Sequence, residues 1–389
     1  MGYEPTVFNQ LFNFIPRHTF QKSADRLGAD RYAKSFKAWP QFLLLLYAQA
    51  TGKQTLREIT GGLQVHAPRL YHLGLKPVPR STIADGLERR KSDLFEELFH
   101  ELVRRTARLA PKHKFRFDHP LYSIDATTID LCLSVFDWAK FRKQKGAVKL
   151  HCQLNHNGHI PVFAYISDGK MHDVKAAKEF FSITPDSIYC IDKGYIDFEW
   201  LYSIHKTGAF FVTRAKSNMD FRITGQHSEG GEKGVLSDRI VCLNGHASSQ
   251  KYPARIRLIT FKDEETGKIY QFISNNFRLA AATIAAIYKQ RWQIELFFKW
   301  IKQNLKIKTF LGTSKNAVMA QIWTAMIYYL LLSYIKFMTR AEMSLTTMAR
   351  RVKDGLMMRM DLMELLCLSP EKPLKPPDGQ DATQMVFIL

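Results

Sequence analysis

The chain is short of acid. Against 56 lysines and arginines stand 36 aspartates and glutamates in 389 residues, a formal charge of +20. The basic residues recur along most of the chain and form no single tail, which implies a polyanionic partner. Charge alone leaves DNA, RNA and an anionic membrane surface open. Paired cysteines are also lacking: Cys132, Cys152, Cys190, Cys242 and Cys367 are odd in number, widely spaced and form no CxxC pair. They suggest reduced, mostly buried thiols of a cytoplasmic protein. No basic stretch followed by an apolar run opens the sequence, so no secretory signal is expected. One segment, Ala317 to Ile335, approaches membrane-spanning length. Gln321, Thr324, Tyr328, Tyr329 and Ser333 interrupt it and no second span accompanies it, so a buried core helix is expected and no membrane partner. With 46% hydrophobic residues the chain has material for two or three domains and a sizeable core.

What is present is most telling between Tyr288 and Lys302 (YKQRWQIELFFKWIK). At about 100° per residue, Tyr288, Arg291, Glu295 and Lys302 fall at about 0°, 300°, 340° and 320° of one helix, a narrow stripe of one acid, two bases and a phenol. Ile294, Phe297, Trp300 and Ile301 lie opposite. A carboxylate flanked by fixed cations on a helix with an apolar back suits a site that holds a metal ion and clamps phosphates. The same spacing also describes a surface helix with incidental ion pairs, such as Arg291 to Glu295. Lys299 and Lys306 extend the stripe, and Trp292 either packs in the core or stacks on a base.

Residues 1–110 lack strand alternation and read as a helical N-terminal domain. Ser35 to Ala50 and Lys91 to Leu109 are long helical stretches. Between them TLREIT, the Gly61-Gly62 turn and a helix beginning after Ser81 as N-cap, with Arg80, Arg89 and Arg90 nearby, fit either a helix-turn-helix DNA reader or plain core. From residue 119 the pattern changes. PLYSIDATTIDLCLSVF is strand-like, and AVKLHCQLNHNGHIPVFAYI reads as two strands about an Asn157-Gly158 turn. HDVKAAKEFFS is helical, SIYCID a short strand, DFEWLYSIHKTG helical and AFFVTRA a buried strand. That order predicts an α/β structure with a mixed sheet.

Asp125 interrupts the first of these strands and Asp192 ends the fourth, each after apolar residues that anchor the strand. Each is either a turn-former or a ligand projecting from the sheet. If the two strands are neighbours and the Glu295 helix packs alongside, three carboxylates converge, the oxygen-rich set that Mg²⁺ or Mn²⁺ prefers.

These three blocks resemble the DDE transposases of bacterial insertion sequences, in particular the cut-and-paste group with the Tyr-x2-Arg-x3-Glu-x6-Lys signature, the insertion sequence 4 family. Tyr288, Arg291, Glu295 and Lys302 match the signature, and YSIDATTIDL and YCIDKGYID match the blocks around the first and second acidic residues. The likeness spans about residues 115 to 335. It implies a ribonuclease H-like mixed sheet flanked by helices: a first part of the core at 115–215, a β-rich insertion at 216–280, core helices carrying the Glu at 281–340, and a C-terminal helical segment and tail at 341–389. It further implies that Asp125, Asp192 and Glu295 bind two Mg²⁺ ions, with Mn²⁺ as substitute, and that Tyr288, Arg291 and Lys302 contact phosphates of double-stranded DNA. A homodimer would hold two transposon ends in a synaptic complex, in the cytoplasm at the nucleoid. Relatives that flip a terminal base hold it with an insertion Trp, whereas no Trp occurs here between Trp200 and Trp292. Tyr270, Phe272 or Phe277 are the aromatics available instead. A DNA-binding repressor and a stand-alone nuclease are the competing functions.

Other polar groups have plainer expectations. His151, Cys152, His156 and His159 would be scattered over both faces of a hairpin. Asp130, Asp137, Asp168, Asp173, Asp186 and Asp197 suit helix caps and turns. Lys140, Arg142, Lys143, Lys145 and Lys149 form either a DNA-holding run or a solvated loop, and Ser369 to Asp381 reads as a Pro-rich tail.

Overall fold

Two of the N-terminal helices, Val7–Asn13 and Leu56–Val65, start where a threonine can satisfy a free N–H group. Thr6 accepts from Asn9 and Thr55 from Glu58. The computed structural model describes residues 5–132, 134–142, 145–228, 231–304 and 310–367. Lys143, Lys306 and the Pro-rich tail lie outside these, as do the side chains of Lys140, Arg142 and Lys145. Within them two expected boundaries are corrected. The helix Leu56–Val65 runs through Gly61-Gly62 without turning. A Cβ on Gly62 would lie 2.5 Å from the Lys53 side chain and 2.7 Å from the Tyr47 hydroxyl, so the glycine serves close packing there. The next helix, Arg80–Arg89, begins after Pro79, which leaves Ser81 inside its first turn and not at its cap.

The helix Asp93–Ala107 buries Leu94, Phe95, Leu98, Phe99 and Leu102, an apolar stripe of helical period. It packs on Lys315–Thr339, as does Ala38–Thr51. Lys315–Thr339 is long and apolar enough to cross a membrane, but 83% of its apolar window is buried inside the protein. One continuous apolar core links the N-terminal helices, this long helix, the outer face of the sheet and the helix Leu345–Gly355. An early and a late segment meet there: Val7 donates to the Met358 carbonyl at 3.0 Å, Phe8 to that of Leu356 at 2.8 Å, and Gln10 to that of Met360 at 2.7 Å.

Ten strands follow in the described chain: β1 Leu121–Leu131, β2 Lys140–Arg142, β3 Lys145–Asn155, β4 Ile160–Asp168, β5 Ile188–Ile191, β6 Phe210–Arg214, β7 Phe221–Ser228, β8 Val235–Leu243, β9 Ile256–Lys262 and β10 Ile269–Ser274. They form one mixed sheet in the order β2-β3-β1-β5-β6-β10-β9-β8-β7, with β4 also on β3. The expected hairpin is β3–β4. Its Gly158 has φ of 65°, and a Cβ there would meet the Phe337 ring at 2.6 Å, so the turn needs glycine twice over. β1 pairs antiparallel with β3 and parallel with β5, and β5 pairs parallel with β6. Strands β7 to β10 are antiparallel, and they join the same sheet through β10 against β6.

A buried fork secures that extension. Arg257 on β9 donates to Asp238 on β8 from Nε at 2.8 Å and from Nη2 at 2.5 Å, and from Nη1 to the carbonyls of Asn276 and Leu279. Both side chains are at most 1% exposed. Glu232 then accepts the first N–H groups of the helix Ala281–Gln290, from Ala281 at 3.3 Å and Ala282 at 2.6 Å. Replacing Arg257 by Met strands a buried carboxylate and should cost about 3–5 kcal/mol in urea unfolding. The double variant R257M/D238L should lose less, and equal losses would remove the ion pair from this role.

The core also holds neutral histidines. Burial, with His159 and His113 nearby, pulls His156 down to about 3, and burial pulls His151 down to about 4. Their rings bond the hydroxyls of Ser123 and Ser167 at 2.8 and 2.9 Å. In the unfolded chain each titrates near its ordinary value of about 6.5. Protons therefore favour unfolding below that pH, and each histidine should lower stability by about 1.4 kcal/mol per pH unit from about 6.5 down towards its folded value. The variant H156Q should show a shallower loss of urea stability between about pH 6.5 and pH 4.5, and an unchanged slope would contradict this.

Candidate active site

The parallel ladder between β1 and β5 ends at the pair Ile124 and Ile191. The next residue on each strand is an aspartate, so Asp125 and Asp192 stand side by side just past the end of that ladder; Asp192 follows the last residue of β5, whereas Asp125 does not interrupt β1 as the sequence suggested but stays within it, opposite Cys152 of β3. This is the carboxyl end of the parallel pairing, the side on which open α/β sheets collect ligands. The approach is apolar: Leu121, Ile124 and all of β5 are fully buried. Asp192 accepts the Gly194 N–H at 2.8 Å and so caps the turn Lys193–Tyr195, and Asp125 accepts the Ala126 N–H at 2.8 Å.

The stripe-bearing segment is not one unbroken helix, a correction to the sequence expectation. Ala281–Gln290 and Trp292–Asn304 meet at Arg291. There the N–H groups of Arg291 and Ile294 bond the carbonyls three residues back, those of Tyr288 and Arg291. The Ile287 carbonyl accepts instead from the buried Cys190 thiol of β5, at 3.6 Å. A tertiary contact thus settles the break, and the residues after it keep the expected polarity: Ile294, Phe297, Trp300 and Ile301 are all buried.

Arg291 ties the strand to the helix. Its Nη1 reaches Asp125 Oδ2 at 3.3 Å and its Nη2 reaches Glu295 Oε1 at 2.5 Å. The guanidinium lies 5.7 Å from the Tyr288 ring centroid. Asp125 is raised to about 6, chiefly by burial. The Ala126 N–H and Arg291 oppose the shift, and the charges of Asp192 and Glu295 add to it. Asp125 therefore lies within the field of both other carboxylates. The oxygen-only donor set of the three suits a hard divalent cation. As placed, no three acidic, histidine or cysteine side chains among the described residues close on a common point, because the Arg291 guanidinium lies between Asp125 and Glu295.

Two concavities flank Arg291. Asp125 and Glu295 line a groove of about 460 Å³ with Lys299 and Lys302, both exposed. Asp192 and Arg291 line a cleft of about 560 Å³ with Arg214, Tyr270, Phe272, Tyr288 and Trp292. Trp292 is 57% exposed, which excludes it from the core. Phe272 is buried against Tyr288 with centroids 5.0 Å apart, Tyr270 is half-buried above it, and Phe277 packs elsewhere, on His227. The sequence did not single out Tyr195. It is buried behind the two aspartates, and its hydroxyl has no hydrogen-bond partner among the described residues. Its signal was the aromatic two residues before Asp197 in YCIDKGYID.

The N-terminal basic residues divide. Arg80 and Arg89 are exposed. Arg90 is only 8% exposed, and its guanidinium bonds Gln41 and the carbonyls of Ala29 and Phe36, with Asp30 at 3.7 Å. It organises the loop after Leu27 and is withdrawn from the candidate DNA contacts. That loop and the helix Arg80–Arg89 enclose a cleft of about 570 Å³ rimmed by exposed Arg31, Tyr32, Lys34, Arg89 and Lys91. Of the other polar candidates, Asp197 caps its helix, Asp168 accepts two turn N–H groups, and Lys149 pairs with Asp173 at 2.9 Å.

Residues 116–331 match the family described as Transposase DDE domain, and residues 4–76 match a domain of unknown function. A putative transposase of Sinorhizobium fredii is 32% identical over 80% of this chain and 86% of its own length. A probable transposase for insertion sequence element IS5377 of Geobacillus stearothermophilus is 27% identical over 72% of this chain and 75% of its own. Among solved structures, a piggyBac transposase synaptic complex with hairpin DNA covers 98% of this chain and 88% of that one, with 9% identity and a TM-score of 0.46, too slight a likeness to argue from. A transposase domain matched over more than half of the residues, together with a relative 32% identical over most of both chains, leaves one conclusion: the chain belongs to the DDE transposases of insertion sequences, enzymes that cut DNA and transfer its strands.

Proposed function

We propose that Asp125, Asp192 and Glu295 are the acidic ligands of this transposase's active centre, and that it falls in the cut-and-paste group with the Tyr-Arg-Glu-Lys signature. The observation that carries this is the paired exit of Asp125 and Asp192 from the β1/β5 ladder, with Arg291 bridging Asp125 to Glu295. A ribonuclease H-like core is supported by the antiparallel β4-β3-β1 start and the parallel β1-β5-β6 continuation, with β7–β10 as the insertion before the Glu295 helix.

The family generally depends on divalent metal. Two Mg²⁺ or Mn²⁺ ions held by the three carboxylates would activate a water or a DNA 3′-hydroxyl and stabilise the departing oxygen. The chain's own side chains then bind and align the DNA. Lys299 and Lys302 set positive charge along the groove for backbone phosphates, and Arg291 does so in the cleft beside it. Tyr288 supports the Arg291 guanidinium with its ring face. Trp292 and Tyr270 offer flat surfaces on which a base beside Asp192 can stack. A homodimer pairing two DNA ends is the assembly we assign. For the N-terminal helices, including the domain of unknown function, the DNA-facing surface is the basic rim of Arg31, Lys34, Arg89 and Lys91, with Arg80 at the helix start.

Glu295→Gln should lower Mg²⁺-dependent excision from a supercoiled plasmid carrying the element's ends by about 10²-fold or more, with binding to the ends retained. Undiminished cleavage would end the assignment. Arg89→Ala and Lys91→Ala should each reduce the slope of log K against log salt for end binding by about one unit. Arg90→Met should instead lower the unfolding temperature. If both rim variants keep the wild-type slope, that rim is a solvated surface.

A further inference from the structure

Two of the three carboxylates share one guanidinium. Arg291 donates from Nη1 to Asp125 and from Nη2 to Glu295, while its buried Nε has no hydrogen-bond partner among the described residues. Asp192 stands outside this pairing and accepts from Gly194. Arg291 lines the cleft with Asp192, while its two carboxylate partners line the neighbouring groove. Any cation bound jointly by Asp125 and Glu295 must compete with Arg291 for the same oxygens. A backbone phosphate offers the guanidinium a charged, forked acceptor and a partner for the unmatched Nε.

We infer that Arg291 is a latch on metal loading: it holds Asp125 and Glu295 until a DNA phosphate draws it away, so that seating DNA and binding the divalent cation favour each other. This rests on the carboxylate site proposed above. The coupling is reciprocal by linkage, so the cation strengthens end binding by the same factor. A purely structural ion pair behaves oppositely. Its removal would loosen the site and weaken metal binding.

The experiment measures Mn²⁺ binding to the full chain by electron paramagnetic resonance of free Mn²⁺, with and without a duplex oligonucleotide carrying the element's end. R291Q should bind Mn²⁺ about tenfold tighter than wild type in the absence of DNA. Wild type should gain a comparable factor when the duplex is added, and R291Q little. R291K keeps a point charge but cannot fork between two carboxylates, so it should fall between the two and decides the matter if R291Q does not fold. Arg291 variants that bind Mn²⁺ no tighter than wild type, while D125N binds it more weakly, would overturn the latch and leave the site standing. Binding indifferent to D125N would overturn both. Thermal unfolding gives a second readout: Mn²⁺ should raise the unfolding temperature of R291Q more than that of wild type, and equal shifts would count against the latch.

Discussion

Three like charges held at one end of a sheet repel one another, and the structure depends on how that repulsion is met. The parallel ladder of β1 and β5 stops at Ile124 and Ile191, so the two aspartates are neighbours by backbone register and need no side-chain search. Glu295 arrives from a helix far along the chain. Its approach is compensated by a single arginine four residues earlier, which also reaches across to the strand. Burial raises Asp125, and the Ala126 N–H and the Arg291 charge offset that only in part.

The inserted strands serve the same end. Because β10 lies against β6, the insertion is rigidly continuous with the sheet that carries the aspartates. The Asp238–Arg257 fork and the Glu232 cap then fasten it to the start of the helix leading to Tyr288 and Arg291. Aromatic residues of the insertion and of the helix junction thereby face one cleft beside Asp192.

Much of this was legible in the sequence where local chemistry decides. Strand β1, the β3–β4 hairpin, the Asp197 cap and the buried face of the Glu295 helix follow from alternation, turn residues and helical period. The inserted strands were expected only as a β-rich region: β7 is largely polar, and β8, though mostly apolar, carries a buried Asp238 whose partner is on another strand. What escaped the sequence was set by distant contacts. A thiol on β5 takes the carbonyl that would have continued the helix through Arg291. Gly62 is read as a turn until Tyr47 and Lys53 are seen against it. Arg90 looks like its exposed neighbour Arg89, and only the folded loop reveals that its charge is spent internally.

The meeting of the first described helix with residues 356–360 has a consequence for how the protein is made. The first helix buries Val7, Phe8 and Leu11, and its backbone partners are the carbonyls of Leu356 and Met358. During translation the backbone partners of that helix are missing until residues 356–358 have left the ribosome. A prematurely terminated product keeps its acidic triad and its basic rim yet lacks the clasp that closes the helical core, and it is a substrate for chaperones and proteases before it is a cutter of DNA.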